Sequence, residues 1–308
     1  MRTSLIEECC RDRLWLIREE RSERGAVASR LETVFERIDT SITPTAQDYG
    51  RFRSQANETT RLLLRSGIVE ECRLVGSISR STAIRQTSDV DLLAVMTVDR
   101  ETSTQRPSEL ISRLAHVLRD SGADVTSGTV AVPLRFEDRP TVDIIPATKL
   151  KGSDVYLIPS ERGDAWQQFE PNILQNLVAN CGRRLGPRFR VLVRLIKYWN
   201  KSRNAGLRSS DLEELVCIAM GDATEISSYP DAIAHVLAFV SDWIEGDRYA
   251  RNKMGGPFLP DKFNSRAGDI AKESSRAVQA MNQSQPDAQA DATTLKEFFG
   301  GELAEDIY

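Results

Sequence analysis

Asp89 and Asp91 stand two residues apart in the stretch that runs from Leu74 to Leu93, LVGSISRSTAIRQTSDVDLL. The Val, Leu and Ile residues around them predict a strand, and on a strand residues i and i+2 share one face. Both carboxylates therefore point the same way, flanked by Val90, Leu92 and Leu93, where they repel each other and lose hydration. A fold keeps such a pair by supplying a counter-cation, usually a divalent metal held by oxygen ligands. Gly76-Ser77 lies upstream, where the preceding strand should end. A glycine lets the backbone approach a phosphate closely, and a serine offers a hydroxyl and an N–H to its oxygens. A third acid, Asp143, sits in a second apolar run, Thr141-Val142-Asp143-Ile144-Ile145. Each part has a bland reading on its own: a turn, a strand edge, a strand-end carboxylate. In this order they describe a two-metal site for phosphoryl or nucleotidyl transfer, with Asp89, Asp91 and Asp143 as the metal-binding and catalytic acids.

The elements around these residues read as follows. Residues 4–39 and 46–65 carry apolar residues at helical spacing, with Gly67 ending the second helix. Cys72–Val75 is a short strand, and Ser79–Ile84 a short helix whose N-terminus would favour an anion. Strands are predicted at 90–98, 125–126, 129–136, 141–145 and 154–158, with a helix at 107–121 between the first two. This is a mixed sheet of about five strands that carries all three acids. Strand signals stop at Pro171. Helices follow at 171–182, 187–203, 209–220, 229–245 and 269–283, with Pro171, Pro187 and Pro230 at starts and Gly182, Gly206, Gly221 and Gly246 at ends. Residues 284–293 are polar and Pro/Ala-rich, a linker ahead of a short acidic tail that ends at Tyr308.

Composition narrows the function classes. A chain of 308 residues has ample length for a large core. A net charge of −4 argues against a surface built to grip duplex nucleic acid, though a local basic groove stays open. No apolar run approaches the ~20 residues that span a bilayer, and the N-terminus has no signal-peptide core, so a cytoplasmic protein without membrane contact is expected. Two histidines and five scattered cysteines give no zinc spacing. Cys72, Cys181 and Cys217 read as small core fillers.

Asn172 to Ser210 contains no Asp or Glu, yet it carries nine basic residues, Arg183, Arg184, Arg188, Arg190, Arg194, Lys197, Lys201, Arg203 and Arg208. Arg190, Arg194, Lys197 and Lys201 fall on one face of the 187–203 helix, with Val191, Leu192, Leu195, Ile196 and Trp199 opposite. One reading is a solvated basic face. The other is a face that closes on a nucleoside triphosphate opposite the acids, and the lack of compensating acids favours it.

The spacing Gly76-Ser77, eleven residues, Asp89-Val-Asp91, then Val142-Asp143 resembles the nucleotidyltransferase superfamily that includes DNA polymerase beta. The fuller pattern narrows the resemblance. It reads Gly-Ser-x-x-Arg80-x-Thr82-Ala83-x-Arg85-x-x-Ser88-Asp-x-Asp, followed by Val-Asp143-Ile-Ile-Pro146-Ala147. This is similar to the CD-NTases, the bacterial relatives of cyclic GMP-AMP synthase and 2'-5' oligoadenylate synthetase, over about residues 50–265. The resemblance implies an α+β fold with a polymerase-beta-like core. Its parts would be spine helices at 1–70, a catalytic core at 71–165, a helical lobe at 166–284, and a linker and tail at 285–308.

It also implies roles. Leu195-Ile-Lys197-Tyr-Trp199 and Leu207-Arg-Ser209-Ser210-x-Leu212-Glu213 resemble the helical-lobe motif in which the Lys and the first Ser contact the triphosphate. Lys197, Ser209, Gly76 and Ser77 are thereby expected to bind nucleotide, with Arg194 beside them. Relatives often carry an aromatic residue after that Ser; here it is Ser210, so base stacking must come from elsewhere. The implied cofactor is a pair of Mg²⁺ ions, with Mn²⁺ as a substitute, and the substrates are ATP, GTP or other NTPs. The implied product is a cyclic di- or trinucleotide second messenger in antiphage defence, signalling to an effector and open to a regulatory protein. Two alternatives stay open: a nucleotidyltransferase acting on RNA 3' ends, tRNA or protein, and an inactive nucleotide-sensing module.

Overall fold

The structure, a computed structural model, describes residues 25–85, 87–97, 106–119, 123–160, 164–254 and 265–283, with Leu295, Phe298 and Phe299. The expected helix over 4–24, the loop around 100–105, the linker at 284–293 and most of the tail lie outside them. The chain divides into two compact units, one of residues 44–176 and one of 1–43 with 177–308.

The first unit is a mixed seven-stranded sheet. In chain order its elements are α2 (Ala46–Arg65), β1 (Val69–Leu74), α3 (Gly76–Arg80), β2 (Val90–Met96), α4 (Pro107–Leu118), β3 (Asp124–Val125), β4 (Val132–Phe136), β5 (Arg139–Lys149), β6 (Tyr156–Pro159) and β7 (Trp166–Phe169); α1 (Gly25–Ile42) belongs to the other unit. The strand order is β1-β2-β5-β4-β3, and β6 and β7 extend from the far half of β5. Among the described residues, only β2 and β5 run parallel; the other pairs are antiparallel.

Helix α2 starts where its sequence says it should. Thr45 accepts from the Asp48 N–H at 3.1 Å while Asp48 accepts from the Thr45 N–H at 2.8 Å, a reciprocal capping box. Phe52, Ala56 and Leu63 of α2, with Leu110, Ile111, Leu114 and Leu118 of α4, pack on Val90, Leu92, Ala94, Val142 and Ile144. One face of the sheet is thus sealed by helices. Residues 91, 93 and 95 and residues 143 and 145 point to the opposite face, where Leu93 and Val95 pack with Val75, Ala147, Tyr156 and Ile158.

Helix α2 packs on the sheet and belongs to the first unit, although the sequence groups it with the N-terminal arm. Strand β7 was not expected at all. Helix α3 starts three residues before the predicted Ser79, because Gly76 itself takes φ +72 and opens the turn.

The second unit is helical: α1, α5 (Pro171–Leu185, within which the division falls), α6 (Arg188–Ser202), α7 (Ser209–Ala219), α8 (Tyr229–Met254) and α9 (Ser265–Gln283). Helix α5 passes Gly182 and ends at Gly186 (φ +73), and α8 passes Gly246, so neither interior glycine is a stop. Phe189, Leu192, Val193, Leu195, Ile196 and Trp199 bury α6, and the Trp199 indole N–H donates to Ser274 Oγ of α9 at 2.9 Å. Phe298 and Phe299 of the tail are buried, edge-on to Phe35 of α1. Cys181 and Cys217 are buried free thiols, as expected of core fillers, while Cys72 is half-buried.

Candidate active site

The parallel pairing of β2 with β5 sets the register on which the site depends. Asp91 is the Cα partner of Asp143, on the face away from α2 and α4. Asp89 lies just before β2 and is exposed. Asp143 is half-buried. Burial pushes its carboxyl above the usual carboxylate range, the nearby Asp89 charge pushes it further, and Arg135 pulls it back. The three acids predicted from sequence are thus neighbours. Among the described residues, no three carboxylate, imidazole or thiol groups are drawn tightly enough to form a ready-made metal cage.

Gly76 closes this arrangement from β1. The Val75 N–H donates to the Asp91 carbonyl at 2.9 Å, fixing the end of β1 against β2 at that residue. A Cβ built on Gly76 would lie 1.7 Å from Asp91 Oδ2, and the residue's φ of +72 belongs to the left-handed region. The space a side chain would take is therefore filled by the carboxylate. Gly76→Ala should displace the Asp91 carboxylate, cost about 1–3 kcal/mol of stability from the backbone alone, and depress nucleotidyl transfer more than tenfold. Thermal melts and radiolabelled NTP incorporation would check both; wild-type behaviour in both would refute the close contact.

Ser77 follows on α3. Its carbonyl accepts from the Thr82 N–H at 3.0 Å, and its hydroxyl lies 3.5 Å from Ser88 Oγ. Two arginines on the acid face carried no sequence signal. Arg73 is opposite Leu93 in the β1–β2 ladder, and its guanidinium donates to Asn172 Oδ1. Arg135 lies two residues beyond Pro133, the ladder partner of Asp143, and donates to Thr126 Oγ1 at 3.2 Å. Only the register reveals that both share the face of the acids.

The helical unit holds the remaining predicted residues, and here the reading of an uncompensated basic face is corrected. Lys197 is 4% exposed and donates to Glu213 Oε1 of α7 at 3.1 Å, with Glu213 at 0%. Arg194 is buried too and makes a two-pronged pair with Asp39 of α1, at 2.6 and 2.8 Å. Arg188 pairs with Glu32, and Arg203 with Glu273. The acids missing from 172–210 are supplied by α1, α7 and α9. Ser209 opens α7 and is exposed.

The donor set on the sheet fits a divalent cation. It consists of hard carboxylate oxygens, two of them on adjacent strands, and the burial that chiefly raises the Asp143 pKa, with the Asp89 charge adding to it, is what such an ion would offset.

Comparisons with known proteins agree. No protein-family model matches the chain. It is 22% identical over 236 residues to a cyclic AMP-AMP-AMP synthase of Acinetobacter sp. (strain ATCC 27244 / 9458), spanning 70% of this chain and 67% of that one. It is 24% identical over 176 residues to a probable cyclic nucleotide synthase of Bacillus cereus (strain VD146), spanning 46% of this chain and 53%, about half, of that one. Among solved structures it superposes on CdnC of E. coli MS115-1 with a TM-score of 0.71 in the complex with HORMA-deltaN and 0.70 in the complex with ATP. Sequence identity there is 18%, and the first superposition covers 88% of this chain and 96% of that one. The chain has the polymerase-beta-like fold of these proteins. Its resemblance to the CD-NTases, drawn above from the Gly-Ser and Asp-x-Asp motifs, is borne out in both sequence and fold.

Proposed function

We propose that this chain is a metal-dependent synthase that joins nucleoside triphosphates into a cyclic di- or trinucleotide, releasing pyrophosphate, and that the product is a second messenger in antiphage defence. One observation carries the chemistry: Asp91 and Asp143 are ladder partners on adjacent parallel strands, with Asp89 close enough to raise the Asp143 pKa. Asp89, Asp91 and Asp143 would hold Mg²⁺ or Mn²⁺, which when bound neutralises triphosphate charge and acidifies an acceptor hydroxyl. Gly76 leaves room for the Asp91 carboxylate, and Ser77 offers its hydroxyl to a phosphate oxygen. Arg135 counters the rise in the Asp143 pKa that burial and the Asp89 charge produce.

The names of the similar proteins support the product class. One relative is a cyclic AMP-AMP-AMP synthase, and CdnC was solved with ATP, which makes ATP the first substrate to try. The CdnC complex with HORMA-deltaN supports a regulatory protein as a partner. Lys197 and Ser209 are proposed to contact the triphosphate, with Lys197 exchanging Glu213 for phosphate when nucleotide arrives.

The purified chain should be incubated with each NTP set and Mg²⁺ or Mn²⁺, and its products weighed by mass spectrometry. A phosphatase-resistant cyclic product that vanishes with EDTA is expected. An elongated polymer would instead indicate RNA-end addition, and NTP binding without pyrophosphate release would indicate a sensing module.

A further inference from the structure

The β3–β4–β5 ladder places a cation beside the acids. Arg135 stands between Leu134 and Phe136, whose side chains pack on the α2 and α4 side of the sheet, so Arg135 points to the face of Asp91 and Asp143. It is exposed, and its charge is felt at Asp143. Its guanidinium donates from Nη1 to Thr126 Oγ1 at 3.2 Å. Thr126 continues β3: its N–H donates to the Pro133 carbonyl at 3.3 Å, and Pro133 is the ladder partner of Asp143. Across the sheet the order is thus Asp91, Asp143, Pro133 and Thr126. Adjacent strands lie about 4.8 Å apart, so Asp143 and Thr126, two strands apart, are separated by roughly 10 Å. That is comparable with the reach from a ribose hydroxyl to the phosphates on its 5' carbon. Pro133, which has no polar side-chain atom, is the residue between them. Among the described residues Arg135 forms no ion pair, not even with Asp124, its ladder partner on β3, whereas Arg188, Arg194 and Arg203 each pair with an acid. The Thr126 bond uses one of the five guanidinium N–H groups and leaves the rest for a phosphate.

Nucleotidyl transfer fixes which substrate would lie there. The acceptor hydroxyl oxygen bonds to the donor α-phosphorus. The bond from that phosphorus to the oxygen it shares with the β-phosphate breaks, pyrophosphate leaves with that oxygen, and the hydroxyl proton passes to solvent. Attacking and leaving oxygens stand in line on opposite sides of the phosphorus. Gly76-Ser77 follow β1, which borders β2 on one side of the acids; Arg135 stands on β4, which borders β5 on the other. We propose that the acceptor nucleotide lies over β5 and β4, and that Arg135, held along the sheet by Thr126, binds its 5'-phosphates. Arginine suits this role because its planar fork can take two phosphate oxygens at once. The inference rests on the reading of this chain as a nucleotidyltransferase with the donor phosphates at Gly76-Ser77.

The test separates donor from acceptor. Radiolabelled 2',3'-dideoxy-ATP has no ribose hydroxyl to attack with and serves only as donor. α,β-Methylene-ATP cannot release pyrophosphate and serves only as acceptor; adenosine is an acceptor without phosphates. Dinucleotide formation in Mg²⁺ is then measured for each acceptor. Arg135→Ala should raise the KM for α,β-methylene-ATP about tenfold, the size of a lost hydrogen bond to a charged group, and leave the donor KM within about twofold of wild type. The preference for α,β-methylene-ATP over adenosine should fall by about the same factor. Arg135→Lys keeps the charge without the fork and should recover the acceptor KM to within about threefold of wild type. Should Arg135→Ala melt early, Arg135→Gln keeps much of the stem and carries the same comparison. An unchanged KM for α,β-methylene-ATP would overturn the proposal. So would equal losses with both acceptors, which would mean that Arg135 acts only through the charge of Asp143. A wild-type protein that releases no pyrophosphate from any NTP fails the nucleotidyltransferase reading itself, which separates the two ideas.

Discussion

Asp91→Asn should reduce pyrophosphate release from NTPs by roughly a thousandfold or more, while the chain keeps a cooperative melt. The substitution is nearly isosteric, so the β2–β5 ladder and the contact with Gly76 persist; only the negative charge leaves. A divalent ion held by carboxylates contributes several kcal/mol of charge stabilisation in the transition state, and each 1.36 kcal/mol is a factor of ten. Asp143→Asn should be equally inactive but should behave differently in a melt without metal. Burial and the Asp89 charge raise the Asp143 pKa, so folding favours its protonated form. That stabilising contribution is complete below the ordinary carboxylate pKa and is lost as pH rises through the raised one. At neutral pH the metal-free protein therefore carries an unfavourable charge that Asn removes, and Asp143→Asn should melt at or above wild type there. Acidification through the raised pKa should close that gap, and the same protonation should weaken Mg²⁺ activation. Retained activity in Asp91→Asn, or an Asp143→Asn variant that melts well below wild type at pH 7, would refute the arrangement.

How much of this was legible beforehand follows from how far each signal reaches along the chain. The α2 start at Thr45-x-x-Asp48 is written in four residues and falls where it was expected. The three acids were legible because two lie in one strand and the third sits in a similar apolar run. Their gathering needs only that β2 and β5 pair in parallel. The β7 sequence Trp166–Phe169 has no alternation strong enough to mark a strand; pairing with β6 makes it one. The basic stretch was misjudged for the same reason. A search for compensating acids within 172–210 cannot see Asp39, which is 155 residues from Arg194, or Glu213 on the next helix. Arg73 and Arg135 share the acid face only through ladder register. The tail, read as short and acidic, hides Phe298 and Phe299, whose burial beside Phe35 is a long-range contact. Local capping and motif spacing are thus readable in sequence, whereas the partners of charged side chains are not.

Glu213→Ala should have the largest effect on stability. Lys197 and Glu213 are both almost wholly buried, and their ion pair links α6 to α7. Removing one member of a buried ion pair costs about 3–5 kcal/mol. In a protein of this size that lowers the melting temperature by on the order of 10 °C. Lys197→Met should cost a similar amount. The double variant Lys197→Met/Glu213→Leu exchanges the pair for apolar volume and should recover most of the loss, since burying two charges offsets much of what their attraction gains. Differential scanning calorimetry on the four proteins would check this, and a Glu213→Ala variant that melts with wild type would refute the buried pair. The double variant then isolates the role of Lys197 toward nucleotide, because its fold is intact and its cation is gone. Weakened ATP binding in that protein would mean that Lys197 leaves Glu213 to meet the triphosphate, and unchanged binding would mean that the lysine serves only to join two helices.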